Sequence, residues 1–416
     1  MTMKTVIRPE TEMKDSGIDT VEKMPLSWNK IRLKNLVKIR TGNEDTKNAT
    51  PNGKYRFYVR SPIVERCDRY TFEGEAILVA GDGAGAGRIF HLVDGRYAVH
   101  QRVYCLSDFK YNAKFIHYYL ENLFPFEMDK GSAQSTVPSM RLPMLLNFKI
   151  VLPGENECLK IIDYLDETCS KIDEIIAEAK ASIDEYKELK QSVIFEAVTK
   201  GLDKNVEEKE CQMVSLQQIP KHWKECRMGT IYRESKEAGR TDLPILMISI
   251  NTGISDGEVG DEERLRKVVR SEDKSVYKVV HKNDLAYNMM RAWQGGFGAA
   301  QVDGLVSPAY VVATPRTELD SRYIEALLRT PMFTEKIRGL SYGIADFRLR
   351  LYWNYFKDLK ICLPPVDEQR KIADFIDEQN KMIEGLISEK QSLIADLEAY
   401  KKSLIYEVVT GKRRVV

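Results

Sequence analysis

LPGENECLKIIDYLDE at 152–167 returns as LPPVDEQRKIADFIDE at 363–378, and QSVIFEAVT at 191–199 returns as KSLIYEVVT at 402–410. The full stretches 152–199 and 363–410 align without a gap at an offset of 211 residues, with 18 identities in 48 positions. An internal repeat of this kind decides the architecture before any local reading does. The repeated unit reads as a helix, and a different block precedes each copy, 129 residues long at 25–153 and 144 residues long at 220–363. The plan is block, helix, block, helix, which points to a two-part recognition device more than to a single-site enzyme.

Heptad positions a and d of the first copy hold Ile162, Leu165, Cys169, Ile172, Ile176, Ala179, Ile183, Tyr186, Lys190 and Val193. The second copy holds Ala373, Ile376, Asn380, Ile383, Ile387, Lys390, Ile394, Leu397, Lys401 and Leu404. Spacing that alternates three and four over five heptads is what a seam against a partner helix requires. Phe375, Met382, Leu386, Leu393, Tyr400 and Ile405 widen the apolar face of the second copy, which predicts contact with more than one neighbour. Pro153 and the pair Pro364 and Pro365 stand where a helix starts; Gly201 and Gly411 stand where one ends. A helix of this length is on the order of 70 Å long. Two such rods predict an antiparallel pair that holds the blocks apart, and insertion of a few residues in either rod is expected to change that separation.

At 416 residues with 43% hydrophobic and 30% charged residues, the chain is expected to form two globular parts plus extras. No apolar run approaches 18 residues and the N-terminus is charged, so a cytoplasmic protein is expected. Seven scattered cysteines without a C-x-x-C pair, and five histidines without ligand spacing, predict reduced thiols and no metal site. The net charge of +1 divides unevenly. Block 25–153 has 19 Lys+Arg against 12 Asp+Glu, block 220–363 has 23 against 19, and segment 154–219 has 8 against 16. Basic blocks favour a polyanion through counterion release. Chance and an ordinary solvated helix face account for the same split.

Each block opens on Pro-x-x-Trp, MPLSW at 24–28 and IPKHW at 219–223. Each closes on a short run into its helix, NFKIVLP at 147–153 and YFKDLKICLPP at 355–365. Strand-type runs at 77–80, 97–106, 245–250 and 310–314, followed by helix-period stretches near 113–123 and 321–329, predict a compact α+β fold for each block. The frames agree while the interiors differ, as a common scaffold carrying two recognition surfaces would.

These features resemble the specificity subunits of type I restriction–modification systems. The resemblance is carried by the MKDSGI leader at 13–18, the two Pro-x-x-Trp openings, the helix entries at 152–158 and 363–369, and the ends VTKG at 198–201 and VTG at 409–411. The first entry departs from the pattern, with Glu157 and Cys158 where the second has Glu368 and Gln369. The resemblance implies an α+β fold of two globular target recognition domains separated by a long antiparallel two-helix coiled coil, in a pseudo-twofold internal repeat. The expected division is a leader (1–24), a first recognition domain (25–153), a spacer helix (154–201), a linker (202–219), a second recognition domain (220–363), a spacer helix (364–411) and a tail (412–416). It further implies that each domain reads half of a bipartite sequence on double-stranded DNA. The helices would set the spacing and dock two methyltransferase subunits, a restriction translocase subunit would join them, and the chain itself would carry no catalysis. Methyl donor and ATP would belong to those partners, with no cofactor on this chain. A helical scaffold bearing two ligand-binding domains, without any DNA role, is the competing expectation.

The Gly-rich run GDGAGAG at 81–87 follows a strand-type stretch, but RIFHLVDGRYAV after it reads as strand and turn. A phosphate-binding loop needs a helix there, so a turn approaching another backbone, or a plain hairpin turn, is expected instead. There is no G-x-x-x-x-G-K-[ST] and no Asp/Asn-Pro-Pro-aromatic tetrapeptide. Base edges are read by Arg, Lys, Asn and Gln, and phosphates by Ser, Thr and amides. The candidates in the first block are Arg60, Arg88, Gln101, Arg102, Lys130, Ser132, Gln134 and Ser135, the last four in a loop similar to the family's GSAQ segment. In the second block they are Asn288, Arg291, Gln294, Arg348, Arg350 and Asn354. Trp293 and Trp353 beside them read as core.

Overall fold

The computed structural model describes residues 4–131, 138–211, 216, 218–250, 252–255, 274–343 and 349–416. Two units emerge, one of Met1–Lys180 with Gln391–Val416, the other Ala181–Lys390. The duplicated helices span Glu155–Lys200 and Val366–Val409, directly behind the prolines. Each therefore begins in one unit and ends in the other. Gly201 and Gly411 follow them at φ +76° and +77°, the left-handed stop that glycine adopts at no steric cost.

In the first unit a four-stranded antiparallel sheet runs Phe90–Val93, Ala76–Ala80, Val103–Ser107, Lys38–Thr41. Ala76–Ala80 (AILVA) is buried along its whole length, as a central strand covered on both faces must be. A second sheet runs Glu65–Cys67, Tyr55–Tyr58, Arg96–Val99, Phe72–Glu73, with a parallel pair at its centre. The single strand-type run expected at 97–106 is thus two strands, Arg96–Val99 and Val103–Ser107, assigned to different sheets. The turn between them carries Gln101 and Arg102 out to solvent. Helix Ala113–Gly131 buries Phe115, Ile116, Tyr119, Leu120, Leu123 and Phe124 at the i, i+3, i+4 spacing of one apolar face.

The same helix holds His117, whose Nε2 is buried without a hydrogen-bond partner. Burial, then repulsion from His91 and Lys114, pushes its imidazole down to about 4. A histidine depressed in the folded state contributes nothing to acid loss above its unfolded value of about 6.5. Below that, the unfolded chain binds the extra proton and stability falls as pH drops toward 4, by roughly 3 kcal/mol in all. Urea titrations at pH 7 and pH 4.5 are expected to show this loss, and His117→Phe to remove most of it. An identical pH slope in the variant would assign the acid lability elsewhere.

The second unit repeats the first sheet strand for strand: Phe297–Ala299, Leu285–Asn288, Tyr310–Pro315, Tyr232–Ser235. Its second layer keeps the antiparallel pair Lys278–Val280 with Gly304–Val306 and a parallel bridge from Ile245 to Leu305. The strand expected over 245–250 shrinks to Ile248–Ser249. Helices Ser321–Leu328 and Pro331–Leu340 fill the place of the longer helix of the first unit. The segments read as leader, linker and tail are paired strands. Met13–Ile18 pairs with Val21–Pro25, Glu208–Glu210 with Gln218–Pro220, and Thr5–Ile7 with Arg413–Val415.

The repeated sequence signals converge at one place in each unit. Trp28, fully buried, donates from Nε1 to Glu157 Oε2 at 2.9 Å; Trp223, also fully buried, donates to Glu368 Oε1 at 3.1 Å. A Cβ on Gly411 would fall 2.4 Å from Pro25 and 3.2 Å from Trp28, and one on Gly201 2.9 Å from Glu368 Oε1. Opening tryptophan, helix entry and helix exit thus form one joint, built twice. Cys158 and Gln369 follow these glutamates. Gln369 accepts from the Asp320 backbone N–H and donates to the Pro364 carbonyl, whereas Cys158 is buried in the core of the first unit.

Along the helices, Ile162, Leu165, Ile172 and Ile176 of the first unit are buried with Leu404, while Ile394 and Leu397 are half-buried. In the second unit Ile183, Ile376 and Ile383 are buried and Tyr186, Val193 and Ile387 half-buried. The pairing is antiparallel in both. Lys401 meets Asp173 at 2.7 Å in the first unit, and Lys190 meets Glu384 at 2.6 Å in the second. Exposed ion pairs contribute at most about 1 kcal/mol each, so they mark register while the seam supplies the stability. Of the extra apolar residues, Phe375 and Ile405 join cores, but Met382, Leu386, Leu393 and Tyr400 face solvent.

Candidate functional site

Two cavities of the first unit compete for attention, and charge separates them. The larger, about 670 Å³, lies along the helices and is lined by Glu121, Asp166, Asp173 and Glu174 against Lys114 and Lys401. It has the wrong sign for a polyanion. The smaller, about 360 Å³, is lined by Thr41, Gln101, Arg102 and Tyr104 with Asp82 and Ser139.

This groove sits where the turn after Ala76–Ala80 meets two other segments. Gly81 N–H donates to the Arg102 carbonyl at 2.9 Å, Met140 N–H to the Gly81 carbonyl at 2.8 Å, and Gly83 N–H to the Pro138 carbonyl at 3.0 Å. A Cβ at Gly81 would lie 2.9 Å from the Arg102 oxygen, and Gly83 has φ +77°, so the close approach requires glycine at the first and favours it at the second. The Gly-rich run is followed by strand Phe90–Val93 and not by a helix. It is a turn that clasps neighbouring backbone.

Asp82 projects from this turn and accepts Arg60 Nη1 at 2.9 Å and Arg102 Nη1 at 2.8 Å. Burial pulls its carboxyl upward, but the two arginine hydrogen bonds outweigh that and hold it below the usual carboxylate range. His100 beneath the turn accepts the Arg102 N–H on Nδ1 at 3.1 Å; burial, then repulsion from Arg60, pushes its imidazole down. Arg60, Gln101 and Arg102, separated by some forty residues in sequence, therefore share one face. Arg88 and Lys130 are engaged by other carboxylates, Arg88 by Asp129, and Lys130 by Asp19 at 2.9 Å and Glu127 at 3.2 Å. Ser132, Gln134 and Ser135 lie outside the described residues.

The equivalent turn of the second unit follows Leu285–Asn288. Leu351 N–H donates to the Met289 carbonyl at 2.9 Å, the counterpart of Met140 on Gly81. Asn288 Oδ1 accepts the Met290 N–H at 3.0 Å, and Arg291 Nη1 donates to Gln294 Oε1 at 2.7 Å. Trp293 donates to the Met290 carbonyl, and the Arg338 guanidinium lies 5.5 Å from its ring centroid. The Leu351 bond brings the turn with Asn288, Arg291 and Gln294 to the segment of Arg350, which bridges Tyr342, and of the short helix Trp353–Phe356 with exposed Asn354. Arg348 lies outside the described residues.

Sequence reading missed Asp82, because an acid inside a basic block was counted against binding. It also missed Met290 and Tyr342, both exposed in the second unit. The Asp in a Gly-rich turn was the available signal for the first; nothing in the pattern marked the others. Among the described residues no cluster of three or more His, Cys, Asp or Glu is placed to hold a metal ion, and no helix is long and apolar enough to cross a membrane.

Residues 25–185 match the family described as "Type I restriction modification DNA specificity domain". The chain is 21% identical over 376 residues to the type I restriction enzyme EcoDI specificity subunit of Escherichia coli, across 86% of this chain and 82% of that one. A chain in a solved structure of a type I R-M system shares the fold with a TM-score of 0.65 at 15% identity, covering 93% of this chain and 98% of that one.

Proposed function

We propose that the chain is a specificity subunit of a type I restriction–modification system, and that each of its two units reads one half of a bipartite sequence on double-stranded DNA. One observation carries the reading. Both units present the same sheet with the same strand order, while the turn at its edge carries Asp82 with Arg60 and Arg102 in one and Asn288, Arg291 and Gln294 in the other. A shared scaffold with unlike polar side chains at the matching position is what two different half-sites call for.

The recognition domains occupy 25–153 and 220–363. The long helices space them and dock two methyltransferase subunits. Exposed apolar residues support that docking because they recur at the 211-residue offset: Ile175 matches Leu386, and Leu189 matches Tyr400. Two copies of one partner need two equivalent patches, and exposed apolar side chains at matching positions favour an interface. Restriction translocase subunits join this assembly. The chain contributes no catalytic group; methyl donor and ATP bind the partners, and the assembly works in the cytoplasm.

Sequencing modified adenines in a cell that expresses this chain with its methyltransferase subunits tests the proposal. A single motif of two short halves separated by a fixed spacer is the expected result, absent when this chain is deleted. Active partners with no bipartite motif would sink it.

A further inference from the structure

We propose that Asp82 and Arg102 together read one G·C base pair in the half-site taken by the first unit, with Arg60 holding the carboxylate in place. The inference rests on the DNA-reading function above and assigns a base class to one of its two surfaces.

A carboxylate is the unexpected element. Phosphates repel it, so a groove meant only to follow the backbone gains nothing from an acid at its centre. Yet Asp82 is held there rigidly: its side chain is only 15% exposed, and the backbone on both sides is tied down by Gly81, Gly83 and Met140. The equivalent place in the second unit, fixed by the matching bond from Leu351 to Met289, is Met290. The acid therefore belongs to what distinguishes the two surfaces and not to the scaffold they share.

The chemistry of the pair selects its ligand. In the major groove guanine shows two acceptors, N7 and O6, and cytosine shows one donor, the N4 amino group. Arg102 is 62% exposed at the tip of its turn and touches Asp82 through Nη1 alone, so its remaining donors can turn to a guanine edge. A carboxylate has about four lone-pair positions; Arg60 and Arg102 occupy one each, which leaves room for a cytosine amino group. An A·T pair with adenine in the guanine place fails on both counts, because the adenine amino group meets guanidinium donors and thymine O4 meets a carboxylate. In the reverse orientation thymine O4 and the adenine amino group suit the two side chains, and the pair is rejected through the N7 acceptor that thymine lacks. The two side chains thus repel one orientation and offer Arg102 one acceptor fewer in the other. Arg102 is the exposed partner of this ion pair and Asp82 keeps Arg60, so lending Arg102 to a base leaves the carboxylate paired.

The test uses the assembled enzyme, this chain with its methyltransferase subunits, and duplexes carrying the motif recovered by adenine mapping. One half of the motif is expected to hold an invariant G·C pair. Asp82→Asn and Arg102→Ala should each relax discrimination at that same pair by roughly tenfold to a hundredfold, with the other half unchanged and Arg88→Ala silent. Replacement of that guanine by 7-deazaguanine, which lacks the N7 acceptor, should weaken binding of the wild-type enzyme by about tenfold. That arm decides the matter if a variant does not assemble. Full discrimination by Asp82→Asn, relaxation at an A·T pair or in both halves, or indifference of the wild type to 7-deazaguanine at every guanine overturns the assignment. A wild-type enzyme with no bipartite motif instead overturns the reading beneath it.

Discussion

Four residues inserted after Ser182 and four after Gln391 are expected to move the methylated motif to a longer spacer and leave both half-sites unchanged. The pairs Asp173 with Lys401 and Lys190 with Glu384 give the same antiparallel register in the two units, and on each helix the insertion falls between these two pairs. Matched insertions there lengthen both helices at one level and keep the flanking seams paired. Four helical residues advance about 6 Å and turn about 400°, a net right-handed rotation of about 40°. DNA advances about 3.4 Å per base pair and also winds to the right, so the gain corresponds to one or two base pairs with a rotation of the same sense. Modification at the original spacing should fall to background, and a motif with the same halves one or two base pairs further apart should replace it. Adenine mapping reads both. An unchanged spacer would remove the helices from the role of ruler, and a change in half-site sequence would place recognition partly on them.

The fold was legible wherever the sequence repeated itself. The gapless offset of 211 residues announced two long helices, and the prolines and glycines marked their ends to within two residues of what is observed. Heptad spacing named the seam, and Ile162, Leu165, Ile172, Ile176, Ile183, Ile376 and Ile383 are buried on it. Less was readable in the blocks, where strands are three to six residues long and belong to two layers. Periodicity cannot separate Arg96–Val99 from Val103–Ser107, because the break is a tight turn of ordinary residues whose two flanks pair with different partners.

The candidate site was legible as residue types and illegible as a constellation. Arginine and glutamine in a basic block were visible, but Asp82 gains its meaning from Arg60 on one side and Arg102 on the other. Only the tertiary fold closes those separations. Arg88 and Lys130, of the same residue type, are paired instead with Asp129, Asp19 and Glu127, none of which the pattern linked to them. The Trp–Glu joint lies between these cases. Both tryptophans and both glutamates stood out in the repeats, yet 129 and 145 residues separate the partners, and nothing local links them.

That joint sets the largest stability effect to be expected from a single substitution. Trp28→Ala and Trp223→Ala each remove a fully buried indole and leave a carboxylate short of one donor. A buried Trp truncated to Ala costs about 3–5 kcal/mol; Glu157 keeps Arg8 and Glu368 keeps His222 as partners, so the lost N–H bond adds about 1 kcal/mol. Against a total of about 5–15 kcal/mol for a domain, either change brings its unit close to unfolding. The damage should be local, since the sheets and cores of each unit are built from its own residues. Trp223→Ala should thus erase hydrogen-exchange protection in Leu285–Asn288 and Tyr310–Pro315 while Ala76–Ala80 and Val103–Ser107 keep theirs, and Trp28→Ala should do the reverse. Trp→Phe at either position keeps most of the packing and loses only the N–H, so its cost should stay at about 1 kcal/mol. Equal loss of protection in both units from either truncation would mean that the shared helices melt as one body, and that the two recognition surfaces stand or fall together.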